Sequence, residues 1–161
     1  MILASNRTET NNKAKTFISY SHKNKDVVHN IAKRLENTYS VWIDKDLLTG
    51  VKLFDEIAKA IADSLVFICF ISEGYILSDA CQKELTQALS FKEKKIFPIF
   101  LERVDKNNGV FLSINTLLRF NAYEEPDVFA PWSESLYERL INQLSEVVKN
   151  ESCKRNLNID E

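Results

Sequence analysis

The amino-acid sequence predicts a single α/β domain, a mainly parallel sheet with helices on both faces. Three observations carry this reading. Short β-favouring runs alternate with segments of helical period at regular intervals, the pattern of repeated β–α–β units. One of those runs, residues 65–71, contains no polar residue, as a strand buried on both faces requires. A chain of 161 residues is also long enough to bury a core without disulfide or metal staples.

Taken in order, residues 1–14 are polar after the first few and are expected to form a disordered leader. Residues 16–20 (Thr-Phe-Ile-Ser-Tyr) form the first strand, and a polar stretch to Asp26 follows. Val27, Val28, Ile31, Ala32 and Leu35 then recur at helical spacing, with Asp26 placed as N-cap. Residues 39–43 read as a second strand and 44–50 as a loop closed by glycine. Phe54, Ile57, Ala58 and Ile61 mark the apolar face of a second helix. After the buried run comes a third helix over roughly 79–92. Its end carries the charge run 92–95, with cations suited to the negative pole of the helix dipole. Residues 95–101 form a fourth strand, in which Pro98 removes a ladder hydrogen bond. Residues 105–109 make a turn, and a short strand is expected near 118–122. The last helix runs from near Trp132 to about Lys149 on Leu136, Leu140, Leu144 and Val147, leaving 150–161 as a polar tail.

Composition excludes several function classes. Lysine plus arginine number 21 against 23 acidic residues, a net charge of −2, so no global field draws the chain to nucleic acid or an anionic membrane. The three glycines, Gly50, Gly74 and Gly109, are isolated, and a dinucleotide or Walker turn needs several close together. His22 and His29 are the only histidines, and Cys69, Cys81 and Cys153 lack C-x-x-C spacing, which argues against a metal site. The sparse, odd cysteine count fits reduced thiols in a cytoplasmic setting. No apolar run approaches the length of a membrane span. Ligands of such sheets bind outside the carboxyl ends of the strands, which directs attention to loops 21–26, 44–53 and 72–79.

Three segments in order carry a family likeness: Phe17-Ile-Ser-Tyr20, Val41-Trp-Ile-Asp44 leading to Gly50, and Ser78-x-x-Cys81-x-x-Glu84-Leu85. Together they resemble a TIR domain, the Toll/interleukin-1 receptor and plant resistance-protein module, and Pro131-Trp132 is similar to the family's third box. The likeness covers residues 15–149 and implies a flavodoxin-like three-layer fold of about five strands. It also implies a role in innate-immune or stress signalling, by one of two routes. Some TIR domains are scaffolds that dock other TIR domains through the loop here spanning 44–50, where Leu47 and Leu48 are an apolar pair between Asp44 and Gly50. Others cleave NAD⁺ at the nicotinamide–ribose bond with one glutamate, which matches Glu84, and become active on self-association into oligomers or filaments. NAD⁺ is then a substrate, and no cofactor or metal is implied.

The residues give Glu84 an independent case. On a helix it shares a face with Cys81 and Ala88, beside the stripe of Leu85 and Leu89. A carboxylate at the edge of an apolar stripe near a strand-end cleft is partly desolvated and open to a ligand. The chemistry asks for little else, because nicotinamide in NAD⁺ is already a cationic leaving group and needs no general acid. One carboxylate can bind ribose hydroxyls and stabilise the developing positive charge. Cys81 reads as a packed small residue rather than a nucleophile, since no Cys–His pair can be argued; the resemblance puts it and Ser78 at the border of the pocket. Ser78 or Asp79 can cap this helix, and Asp79, which with Gln82 three residues on resembles a capping box, is the expected cap. The resemblance places Tyr20, Ser21 and His22 in a nucleotide-contacting loop and Trp42 at the cleft, where its indole could stack on a base or sit in the core. Two departures stand out. Ala80 occupies a position often tryptophan in NAD⁺-cleaving members, a loss for which Trp42 and Tyr75 could compensate, and Thr49 one often proline.

Overall fold

The computed structural model describes residues 12–44 and 51–155. Five parallel strands form one sheet: β1 (Lys15–Ser19), β2 (Ser40–Ile43), β3 (Val66–Ile71), β4 (Lys95–Phe100) and β5 (Phe120–Asn121), in spatial order β2-β1-β3-β4-β5. This is the flavodoxin-like doubly wound order, whose switch point lies between β1 and β3. Among the described residues six α-helices connect and cover the strands: α1 (Lys25–Leu35), α2 (Val51–Asp63), α3 (Glu73–Ile76), α4 (Asp79–Leu89), α5 (Gly109–Ile114) and α6 (Glu134–Arg155).

Side chains alternate across the sheet, so β1 serves two cores. Ile18 and Tyr20 face α1 and α6, where Val28, Ile31, Leu35, Leu140 and Leu144 close one layer. Phe17 faces α2, α4 and α5, packing with Ile61, Leu85, Ala88 and Ile114. All six residues of β3 are buried, as its unbroken apolar run requires. The faces expected of the first and last helices are the ones buried, with Val147 half-buried at the rim.

Several local expectations are corrected. Asp26 lies in the first turn of α1, and Asn24 precedes the helix after a 3₁₀ turn. Ser78 rather than Asp79 caps α4, its Oγ accepting from the Cys81 N–H at 3.3 Å. That helix ends at Leu89, so the charge run is no helix terminus. Lys94 folds back to donate to the Ser64 carbonyl and, at 3.2 Å, to Ser64 Oγ. Two short helices, α3 and α5, were not expected, and α6 continues past Lys149 to Arg155. Pro98 is tolerated for a geometric reason. Lys95 N–H donates to the Leu65 carbonyl and Leu101 N–H to the Ile71 carbonyl, so odd-numbered residues of β4 face β3. The nitrogen of Pro98 faces the other way, where β5 begins pairing only at Ile99. The leader up to residue 11, the loop 45–50 with Leu47, Leu48 and Gly50, and the tail from 156 lie outside the described residues. Among the described residues, no helix is long and apolar enough to cross a membrane.

Candidate active site

The carboxyl end of β1, at the switch point, presents Ser19 toward the α4 side of the sheet. Ser72 at the end of β3 caps α3, its Oγ accepting from the Tyr75 N–H at 3.1 Å, and this turn aims Tyr75 inward. Ser78 then caps α4 and sets the phase that brings Glu84 back over β1. The three side chains meet. Ser19 Oγ donates to Glu84 Oε2 at 2.5 Å and lies 2.9 Å from the Tyr75 hydroxyl, which has the Cys81 carbonyl at 3.4 Å as a second acceptor within reach.

Burial pushes the Glu84 carboxyl up to about 7; the Ser19 hydrogen bond opposes this and the negative charge of Asp44 adds to it. The carboxyl is thus poised to change charge near neutral pH, a common property of working acids and bases. Burial likewise raises the Cys81 thiol to about 11, so it is a neutral donor, its Sγ–H reaching the Tyr20 carbonyl at 3.4 Å. It is no thiolate nucleophile.

Beside Glu84 a cleft of about 170 Å³ opens between α2 and α4, lined by Phe54, Ile57, Ala58, Ile61, Ala80 and Gln87 among others. The apolar stripe of α2 is divided between two tasks. Ile61 is buried and Ile57 half-buried, while Ala58 is exposed and Phe54 is 63% exposed, so the outer part walls the cleft. Ala80, also exposed, forms its rim.

The other expected site residues are distributed around this centre. Tyr20 is buried on the opposite face, its hydroxyl bonded to His29 Nε2 at 2.7 Å and donating to the Asp44 carbonyl at 3.1 Å. Ser21 is buried against Gly74 and His22 is exposed near the Tyr20 ring. Trp42 stacks on Phe17 with ring centroids 4.7 Å apart and borders a separate hollow with Lys15 and Asp63; it does not line the Glu84 cleft. The spent hydrogen bond of Ser78 belongs to the α4 cap. Of the central cluster, Ser19 was not singled out as a site residue from sequence, although it is part of the quoted F-I-S-Y run; Tyr75, expected with Trp42 to compensate for the ring missing at Ala80, is instead wholly buried with its hydroxyl against Ser19.

The family model for the TIR domain matches residues 16–141. The chain belongs to the TIR domain family. This TIR domain is similar in fold to the crystal structure of the TIR domain of the Toll-related receptor TRR-2 from the lower metazoan Hydra magnipapillata. The two share 21% identity at a TM-score of 0.60, over 83% of this chain and 98% of that one. The family is one of signalling modules that interact with other TIR domains.

Proposed function

We propose that this TIR domain hydrolyses NAD⁺ at the nicotinamide–ribose bond, with Glu84 as the catalytic carboxylate. The observation that carries the reading is a desolvated carboxyl, held by Ser19 at the switch point, beside an open cleft with apolar walls. In the reaction the C1′–N bond breaks and its electron pair leaves with nicotinamide, giving a ribosyl oxocarbenium ion. A water adds at C1′ and loses its proton, and ADP-ribose results; capture by the adenine ring would give a cyclic isomer. The ionised carboxylate of Glu84 stabilises the positive charge as it develops. A low-dielectric surrounding strengthens that attraction, and Phe54 offers a ring face to a base. The rate therefore rises with pH as Glu84 ionises through about 7.

Activity on self-association is part of the same proposal. The loop 44–50 of one copy completes the cleft of a neighbour, so turnover per molecule rises with protein concentration. The two buried thiols, Cys69 and Cys81, suit a reducing cytoplasmic location. A second reading, a non-catalytic adaptor that docks other TIR domains through loop 44–50, is favoured by Ala80, whose small side chain gives the α4 side of the cleft no aromatic ring to face Phe54.

The test is nicotinamide release from NAD⁺ at high protein concentration, comparing the chain with Glu84→Gln. Release that disappears in a folded variant supports the hydrolase and its carboxylate. Release that persists moves the site elsewhere. No release from either protein, even when tethered into oligomers, leaves the adaptor.

A further inference from the structure

Ser19 is 1% exposed, and its hydroxyl has one proton for two partners. That proton goes to Glu84 Oε2. An ionised carboxylate only accepts, so the 2.9 Å bond between Ser19 Oγ and Tyr75 is then donated by Tyr75. Tyr75 is wholly buried, and burial holds its phenol well above the ordinary value, so it remains a donor. Its alternative acceptor is the Cys81 carbonyl, 3.4 Å away.

The cluster thus has two self-consistent arrangements of its O–H bonds. With Glu84 ionised, Tyr75 donates to Ser19 and Ser19 to the carboxylate. With Glu84 protonated, the carboxyl donates to Ser19, Ser19 to Tyr75, and the Tyr75 proton turns to the Cys81 carbonyl. The first ends in a charge-assisted bond, the stronger kind; the second depends on the longer contact.

We propose that Tyr75 and Ser19 are positioning residues, a two-hydroxyl relay that orients the Glu84 carboxyl at the switch point and biases it toward its ionised form. The proposal deepens the hydrolase reading and rests on it for the catalytic role of that form. The relay works against burial and against Asp44 at the end of β2. Among the described residues, the other titratable groups facing Glu84 are Tyr75 from α3 and, on its own helix, Cys81 and Lys83. The α2 wall contributes Phe54, Ile57, Ala58 and Ile61, none of which titrates.

The experiment is a ¹³C NMR titration of the Glu84 carboxyl in the full chain, assigned by its loss in Glu84→Gln. Ser19→Ala is expected to raise the midpoint by about one pH unit, the difference between a charge-assisted and a neutral hydrogen bond. Tyr75→Phe raises it by roughly half as much, through lost polarisation of the Ser19 hydroxyl. Ser19→Thr, which keeps a hydroxyl, restores the parent midpoint, and the acid limb of nicotinamide release moves in step with the titration. A folded Ser19→Ala protein that titrates like its parent overturns the relay, as does a Tyr75→Phe protein with an unmoved midpoint. Shifted midpoints in a chain that releases no nicotinamide uphold the relay and overturn the hydrolase.

Discussion

Glu84→Gln should make this domain more stable, and by an amount that depends on pH. Folding carries the carboxyl from its ordinary 4.5 to about 7, so the folded chain holds the proton more tightly than the unfolded one. The native state is therefore favoured fully below about pH 4.5, and that advantage drains away as pH rises through about 7. At roughly 1.4 kcal/mol per pH unit, ionising Glu84 in place costs the fold about 3 kcal/mol once titration is complete. Glutamine never ionises, and its amide oxygen can still accept from Ser19. The variant should match its parent near pH 4 and exceed it near pH 8 by about 3 kcal/mol, or roughly 6–12 °C in Tm for a domain of this size. Thermal melts followed by circular dichroism across that range measure the difference directly. If the two Tm curves run parallel at all pH values, the carboxyl is not desolvated in the folded chain, and the reasoning that makes it a poised catalytic group fails.

Other perturbations have defined outcomes. Ser78→Ala removes the α4 cap and should cost about 1 kcal/mol of stability, read as a fall in Tm of a few degrees. At Gly74 an added Cβ would stand 2.7 Å from Ser21 Oγ and 3.3 Å from Ser21 Cβ. Gly74→Ala should therefore cost about 1–3 kcal/mol through overpacking, seen as a lower midpoint in urea. Ala80→Trp restores a ring at the cleft rim, and a stacking gain of about 1–3 kcal/mol should lower the KM for NAD⁺ by about tenfold or more; an unchanged KM would show that the rim does not touch substrate. Diluting the protein at fixed NAD⁺ should lower turnover per molecule, whereas a site complete in one copy would give a constant value.

How much was legible depended on how each element is specified. Long periodic elements declared themselves: the helix on Val27, Ile31 and Leu35 and the unbroken run of β3 lie where their patterns put them, because burial alone fixes them. The short helices did not, because one turn has no period to detect. Each is set instead by a single cap, Ser72 for α3 and Asn108 for α5, and Asn108-Gly109 read equally well as a turn. The division of the α2 stripe could not be seen, because periodicity reports an apolar face without saying whether protein or open cleft lies against it. Glu84 was visible through its motif, whereas its partners were not. A serine within a strand is unremarkable in sequence, and only the inward-facing pleat shows that Ser19 is buried and must find a hydrogen-bond partner. Trp42 illustrates the converse: the residue type suits a binding platform, yet Phe17, opposite it in the β1–β2 register, occupies its ring face.

Pro98 also bears on how the domain avoids unwanted company. β5 is only two residues long and pairs with Ile99 and Phe100, so it covers little of the flank of β4. Before β5 docks, during folding or local opening, that flank is a template on which a strand from another chain could add. Such a strand needs a donor from each outward-facing residue, and at Pro98 it finds a ring with no N–H. The ladder is interrupted midway along β4, next to the most apolar strand of the sheet. A proline that costs the native sheet no hydrogen bond to β3 thus guards a nascent domain against aggregation, and Pro98→Val would remove that guard without disturbing the finished fold.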